Sequence, residues 1–320
     1  MNYGLTIPFD GVPLKDHSAI YDAAVASGFT DLWSSEVNTS DAFSPLVAAG
    51  TRHPNLRLGT AIVPAYTRSP ALLAMSIASL ADSIDGEALV GIGTSSNVII
   101  ENWNGIPFEA PYGRVRDVMT FLHRALSGEK VDMDCESFSV KGFRLGRIPH
   151  RAPKLLVAAL RPGMLKLAGR VGDGAILNWL SPEDVHRVVE IVGDAHPNGQ
   201  PEIVARLLVI PSDDVDQVRA IAKRMIAAYL NVPVYADYHR WLGRGDVLQP
   251  MWDAWNAGDR KLALEVIPDD LVDELFVHGT PAQCQDRIDE YVKAGITTPT
   301  LLIDLLDRDP IEVIKLFGRP

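Results

Sequence analysis

The sequence predicts an α/β protein built as a (β/α)8 TIM barrel. Short apolar runs alternate with helical patterns from one end of the chain to the other, eight of each. The 320 residues are 47% hydrophobic and 22% charged, an ordinary globular composition that buries a full core, and α/β barrels commonly reach this size as one domain. A doubly wound sheet would announce itself by a complete G-x-G-x-x-G after the first strand, and Pro8, Phe9, Asp10 and Gly11 stand there instead.

The strands are expected at 3–7, 30–33, 56–63, 87–92, 154–158, 174–177, 203–210 and 298–303, with helices at 15–26, 42–52, 70–84, 112–126, 162–171, 182–193, 215–230 and 310–316. Local chemistry marks several boundaries. The run LGTAIVPAYTRSP at 58–70 passes from an apolar strand into a turn, where Ser69 suits an N-cap and Pro70 the first helical position. At 158–169, AALRPGMLKLAG repeats that plan: Pro162 opens a helix, and Gly172, Asp173 and Gly174 stop it. Thr280 is placed to cap a further helix. Two stretches interrupt the alternation within a domain that spans 1–320. Residues 127–150 read as polar alternating strands, and 231–279, with Trp241, Trp252 and Trp255, as an inserted helical segment before the last strand. An insertion of that length is usually a lid, a substrate wall or a subunit contact.

A net charge of −11 without a basic stretch argues against nucleic-acid binding. No apolar run approaches the roughly 18 residues of a membrane span, and the start MNYGLTIPFDG lacks the regions of a signal peptide, so a cytoplasmic protein is expected. Cys135 and Cys284 are far apart and read as reduced thiols without catalytic work. The eight histidines are scattered, so no metal site is expected, and no G-x-S-x-G elbow supports serine hydrolysis.

In a barrel the site forms where strands end. Strand two ends in WSSE at 33–36, strand three in Thr60, Ala61 and Ile62, strand four in GIGTSSN at 91–97, strand five at 158–161, strand six in Asn178 and Trp179, and strand eight near Asp304. Glu36 is the one carboxylate that closes an apolar strand, and it reads as a general acid, a hydrogen-bond partner for a ring heteroatom, or a solvated loop carboxylate. The small residues Gly93, Thr94, Ser95 and Ser96 let a ring or phosphate approach the backbone, or form a plain tight turn. The turn with Ala158, Ala159, Arg161, Pro162, Gly163 and Met164 leads into a helix N-terminus, whose free N–H groups and dipole favour an anion. Arg68 precedes a helix and is able either to meet an anionic tail or to pair with a nearby acid.

At these segments, together with WNGIPF at 103–108, DGAILNW at 173–179 and GTPAQCQDRIDEYVKAG at 279–295, the chain resembles the luciferase-like flavin and deazaflavin oxidoreductases over nearly its whole length. It looks most like the actinobacterial enzymes that use coenzyme F420 and is similar to methylenetetrahydromethanopterin reductase. The resemblance implies a bacterial-luciferase-like barrel with an insertion after strand seven. It also implies a non-prolyl cis peptide at Ala61–Ile62 behind the ring, a strand-four loop at 93–96 that meets the cofactor, and a phosphate held at 158–164.

The cofactor so implied is F420, with FMN as the alternative. Implied partners are a small organic substrate, a second copy of the chain as a homodimer, and a separate F420 or flavin reductase that supplies reduced cofactor. Some F420-dependent relatives, the sugar-phosphate and alcohol dehydrogenases, carry Asp-His after the strand-two tryptophan. Here the pair is Glu36 and Val37, and Ser96 stands where the sugar-phosphate enzymes have a glutamate. Those departures favour a reductase over an alcohol dehydrogenase. The competing readings are an FMN-dependent two-component monooxygenase and a non-catalytic cofactor-binding homologue.

Overall fold

The computed structural model describes residues 2–319. In chain order the elements are β1 (Gly4–Thr6), α1 (Ser18–Ala26), β2 (Asp31–Ser34), α2 (Ser44–Arg52), β3 (Arg57–Pro64), α3 (Pro70–Asp82), β4 (Ala88–Gly93) and α4 (Pro111–Leu126). Then follow β5 (Val131–Asp134), β6 (Ser139–Phe143), β7 (Lys154–Ala158), α5 (Pro162–Val171), β8 (Gly174–Asn178), α6 (Pro182–Ala195), β9 (Glu202–Ile210) and α7 (Val215–Leu230). The last third holds α8 (Pro233–Trp241), α9 (Gly245–Asn256), α10 (Arg260–Glu265), α11 (Asp269–Leu275), β10 (Phe276–His278), α12 (Pro281–Ala294), β11 (Thr298–Ile303) and α13 (Pro310–Leu316).

Eight parallel strands close in the order β1-β2-β3-β4-β7-β8-β9-β11, and β11 pairs back to β1. This is a TIM barrel, as the alternation predicted. The expected caps form. Ser69 Oγ accepts from the Leu72 N–H, and Thr280 makes a capping box with Gln283. The stretch 127–150 contains the antiparallel hairpin β5–β6, which packs on α4 through Phe121, Phe138 and Phe143. The stretch 231–279 holds α8 to α11, as expected of a helical insertion.

Two elements have no counterpart in the sequence reading. Residues Val98–Trp103 form a short π-helical turn after β4. The short strand β10 pairs with Leu208, Val209 and Ile210. Leu208 also pairs with Leu302 of β11, so β10 lies on the other edge of β9, above the point where β8 leaves it. Three residues are too few to show a period-2 pattern.

Side chains alternate between the barrel interior and the helical layer. At mid-height the interior is filled by Trp33, Leu89, Leu156, Ile176 and Val204, beneath Ala61. Gly59 and Gly4 make room for the indole: a Cβ on Gly59 would lie 2.3 Å from the Trp33 ring, and one on Gly4 2.8 Å.

The floor beneath is ionic. The Arg57 guanidinium reaches Asp31 at 2.7 Å, Glu87 at 3.1 Å and Glu202 at 2.5 Å, while Lys154 Nζ holds Glu202 at 2.8 Å. Burial pushes the Asp31 carboxyl up to about 6, against the pull of Arg57, whereas Lys154 and Arg57 keep Glu202 below its usual range although burial opposes them. Removing one partner of a buried network leaves charge uncompensated, at a cost of about 3–5 kcal/mol.

Arg57→Met is therefore expected to lower the urea midpoint strongly at pH 7.5. Without the cation, Asp31 is raised further above its unfolded value, so its penalty operates above the folded pKa and fades as pH falls through it. The gap between variant and wild type should narrow at pH 5. A gap independent of pH, in urea melts at both values, contradicts this account.

Candidate functional site

The mouth of the barrel lies at the carboxyl ends of the strands. Its central device is a break in β3. The pairing of β3 with β4 shifts register between Thr60 and Val63, and the Ala61–Ile62 peptide is cis. The Thr60 hydroxyl is fully buried. It accepts from the Gly91 N–H at 3.0 Å and donates to the Gly91 carbonyl at 3.2 Å, so Thr60 spans the ladder that the bulge opens. A Cβ added to Gly93 would lie 2.9 Å from Ala158 Cβ and 3.1 Å from Ile62 Cδ1. Ile62, Gly93 and Ala158 thus meet at the top of three adjacent strands.

Around this floor the loops differ in how they are held. Ser95 takes a left-handed conformation (φ 58°), and the Thr94 hydroxyl donates to the Ser95 carbonyl at 3.1 Å. Ser96 turns back to the protein: its Oγ accepts from the Ile99 N–H at 3.4 Å and its carbonyl from Ile100 at 3.0 Å. On the β7 side, Ala159 is buried and its N–H pairs with the Ile176 carbonyl at 3.1 Å. Arg161 is the N-cap of α5, Pro162 sits in the first turn, and no side chain caps the helix. A Cβ on Gly163 would meet nothing within 4 Å, and Gly163 and Met164 lie in the first turn of this helix, where N–H groups have no partner within the helix. The Arg161 guanidinium lies here too, 3.0 Å from Asp237 of α8, with both side chains about half exposed.

Glu36 sits at the top of β2, its N–H bonded to the Ile62 carbonyl at 3.1 Å, directly beside the bulge. Its carboxylate is neither solvated nor free. Oε2 is ion-paired with Arg68 and accepts from the Ala42 N–H at 3.3 Å, and Oε1 accepts from the Thr67 hydroxyl at 3.0 Å. Arg68 in turn lies over the Phe43 ring, 5.1 Å from its centroid. Of the alternatives open to Arg68, pairing with a nearby acid is the one observed. Both oxygens of Glu36 are engaged by protein donors, an arrangement that braces the loop after β2 against the turn before α3.

The opposite wall is only partly foreseen by the sequence: Asn178 and Trp179 stand at the strand end expected of them, whereas Arg206, Tyr229 and Tyr235 are not singled out by it. Arg206 of β9 shares the inward face with Glu202 and Val204, and its Nη1 donates to the Ala61 carbonyl at 3.2 Å. Asn178 of β8 donates to the Tyr235 hydroxyl at 3.2 Å. Trp179 (φ 54°) lies tilted against Tyr229 with ring centroids 5.2 Å apart, and Tyr229 meets Tyr235 edge-on at 6.2 Å. Tyr229 of α7 and Tyr235 of the insertion thus line this side of the mouth with aromatic rings. One signal was available, a lone arginine inside the otherwise apolar strand EIVARLLVI. Nothing local in the sequence links 229 and 235 to 178.

Among the described residues there is no cluster of three or more His, Cys, Asp or Glu able to hold a metal ion, and no helix long and apolar enough to cross a membrane. Comparison with known proteins agrees with the architecture. The chain is 28% identical to the 5,10-methylenetetrahydromethanopterin reductase of Archaeoglobus fulgidus, over 85% of this chain and 84% of that one. It is 24% identical to the F420-dependent glucose-6-phosphate dehydrogenase of Mycolicibacterium smegmatis, over 94% and 89%. Among solved structures, the coenzyme F420-dependent tetrahydromethanopterin reductase of Methanopyrus kandleri superposes with a TM-score of 0.80, covering 99% and 97% of the two chains at 21% identity, a likeness of fold. The luciferase-like monooxygenase family model matches residues 1–298, and the chain belongs to that family.

Proposed function

We propose that this protein is an F420-dependent oxidoreductase that transfers hydride between the deazaflavin and a small organic substrate, acting as a reductase. The observation that carries the reading is the end-to-end match to F420-dependent enzymes, set on a mouth built to seat a flat ring. The floor of Ile62, Gly93 and Ala158 has no polar side chain, and Gly93 leaves no Cβ in the way. The uncapped start of α5 and Arg161 supply donors for the coenzyme's phosphate. These residues fit the group.

When bound, F420 supplies a carbon centre that gives or takes hydride without activating oxygen. The protein's share is position. The bulge at 60–63 would hold the ring with Ala61 and Ile62. The loop with Gly93, Thr94, Ser95 and Ser96 would let it approach the backbone, and the turn with Ala158, Ala159, Arg161, Pro162, Gly163 and Met164 would hold the phosphate. Tyr229 of α7 and Tyr235 of α8 would line the substrate side. Reduction is favoured because Val37 and Ser96 stand where the dehydrogenases that this chain resembles carry a histidine and a glutamate. We further propose that the protein acts as a homodimer supplied with reduced coenzyme by a separate reductase.

F420 is expected to bind more tightly than FMN in fluorescence titrations of the purified protein at fixed ionic strength. Equal or tighter FMN binding sinks the reading in favour of a two-component flavin monooxygenase.

Arg161→Ala should weaken F420 binding on the order of tenfold, the scale of one charge-assisted contact at a partly exposed site. Asp237→Asn, which frees Arg161 from its ion pair, should leave affinity unchanged or tighten it. An unchanged dissociation constant in Arg161→Ala assigns the phosphate to backbone N–H groups alone.

For Glu36 the geometry supports positioning through Arg68 and Thr67. Glu36→Gln keeps the shape and loses the ion pair. Coenzyme affinity should change modestly, and single-turnover oxidation of reduced coenzyme by activated alkenes should slow by about tenfold with both limbs of the pH profile retained. A fall of roughly 10²-fold or more with one limb lost would restore the general-acid role.

A further inference from the structure

The interior of the barrel holds charge at two heights, and only one is neutralised. At the floor, Arg57 and Lys154 are surrounded by Asp31, Glu87 and Glu202. At the mouth stands Arg206. Among the described residues no carboxylate lies within ion-pair distance of it. Its Nη1 bonds to the Ala61 carbonyl, and its Nε is sealed from solvent with no hydrogen-bond partner. The ionisable groups close enough to influence it are Tyr229 and Tyr235, and burial pushes its pKa down. The Thr6 hydroxyl, at the end of β1, is likewise buried without a partner.

A guanidinium carries its N–H donors in a fixed planar fork matched to paired or delocalised oxygens. A guanidinium N–H sealed from solvent without an acceptor costs free energy, and such a cost persists in a fold where a ligand held by the rest of the group offsets it. The surroundings narrow the ligand. The Arg206 anchor is the carbonyl of the cis peptide, so the guanidinium stands beside the proposed ring seat. Tyr229, Tyr235 and Trp179 form an aromatic enclosure on the insertion side. Phosphate has its own donors at α5, across β8 from β9.

We propose that Arg206 is a specificity-determining residue that receives a delocalised, negatively charged oxygen group at the barrel mouth. This rests on the reading of the mouth as the coenzyme and substrate site. Two sources present that chemistry: a carboxylate on the substrate, or the pyrimidine carbonyl edge of the reduced coenzyme ring.

The test uses wild type, Arg206→Met and Arg206→Lys. Benzoate is titrated into the unliganded proteins by tryptophan fluorescence, and oxidised and reduced F420 are titrated separately. A loss of at least tenfold in benzoate affinity in Arg206→Met, with F420 binding unchanged, supports the proposal and assigns the oxygen group to the substrate. A loss of at least tenfold for reduced F420, exceeding the loss for oxidised F420, supports it and assigns the group to the ring. In either case Arg206→Lys should recover only part of the affinity, because it keeps the charge and loses the fork.

The unliganded Arg206→Met protein should melt no lower than wild type, since it sheds a half-buried charge that no carboxylate pairs and whose Nε is sealed without an acceptor. Affinities within twofold of wild type for all three probes overturn the proposal, as does wild-type protein that binds neither benzoate nor F420. A lowered melting midpoint with unchanged affinities overturns it too and reduces Arg206 to a brace for the Ala61 carbonyl. If wild type fails to bind F420, the oxidoreductase reading falls, while the benzoate titration still decides the role of Arg206.

Discussion

One indole sets the geometry of the barrel. Trp33 projects from β2 into the interior, and β1 and β3 approach it closely because Gly4 and Gly59 carry no side chain. Fully buried, it fills mid-height with Leu89, Leu156, Ile176 and Val204, so the interior is a packed plug and not a channel. Everything chemical is displaced to the two ends. Below lies the ion network of Arg57. Above lie the bulge of β3 and the inward positions of the neighbouring strands. The tryptophan that closes a strand at 33 and the bulge at 60–63 are therefore parts of one arrangement: the plug supports Ala61 and Ile62 from beneath.

The ends obey opposite electrostatic rules. A charge at the floor serves the fold, so each is paired, and the shifts on Asp31 and Glu202 go in opposite directions because burial dominates one and cation partners the other. At the mouth, polar groups stand unpaired although pairing would stabilise the fold. The Arg206 Nε and the Thr6 hydroxyl sit there as donors without acceptors. A site that must receive a ligand cannot satisfy its own donors beforehand, and stability is given up where binding happens.

The fold was legible because its evidence is repetitive. Eight apolar runs separated by helical patterns leave few architectures, and caps such as Ser69 and Thr280 act within four residues, so both were readable from local sequence. Boundaries drifted by one to three residues, the most at the start of α1, expected at 15 and found at Ser18, as helix ends fray. The strand-end segments were legible as segments, because a parallel barrel brings all carboxyl ends to one face. The partners of individual side chains were not. That Glu36 pairs with Arg68, and Arg161 with Asp237, depends on how loops separated by 32 and 76 positions fold back. Helix–strand periodicity carries no information about such pairs. Arg206 was overlooked for the converse reason. It lies inside a strand, where the run of apolar neighbours identifies the element and hides the exception.

The insertion has a structural logic that ties these threads together. Helices α7 to α11 and the short strand β10 form their own apolar cluster, which includes Trp179, Leu208 and Ile210 from the barrel. The insertion is thus anchored on β8 and β9 by its own core and not merely by two chain connections. Tyr235 of the insertion is held by Asn178, and Tyr229 of the preceding α7 packs on Trp179. A wall with an independent core can change its lining residues without disturbing the plug around Trp33. On the proposed reading the floor, the bulge and the α5 turn would answer to the coenzyme as well as to the fold, whereas the face opposite the bulge would be free to follow the substrate. Arg206 belongs to the strand that joins the two: it is fixed by the barrel at its backbone and faces the insertion with its charge. On the proposed reading, substrate choice would be divided between a rigid strand residue that selects charge and a replaceable aromatic wall that selects shape.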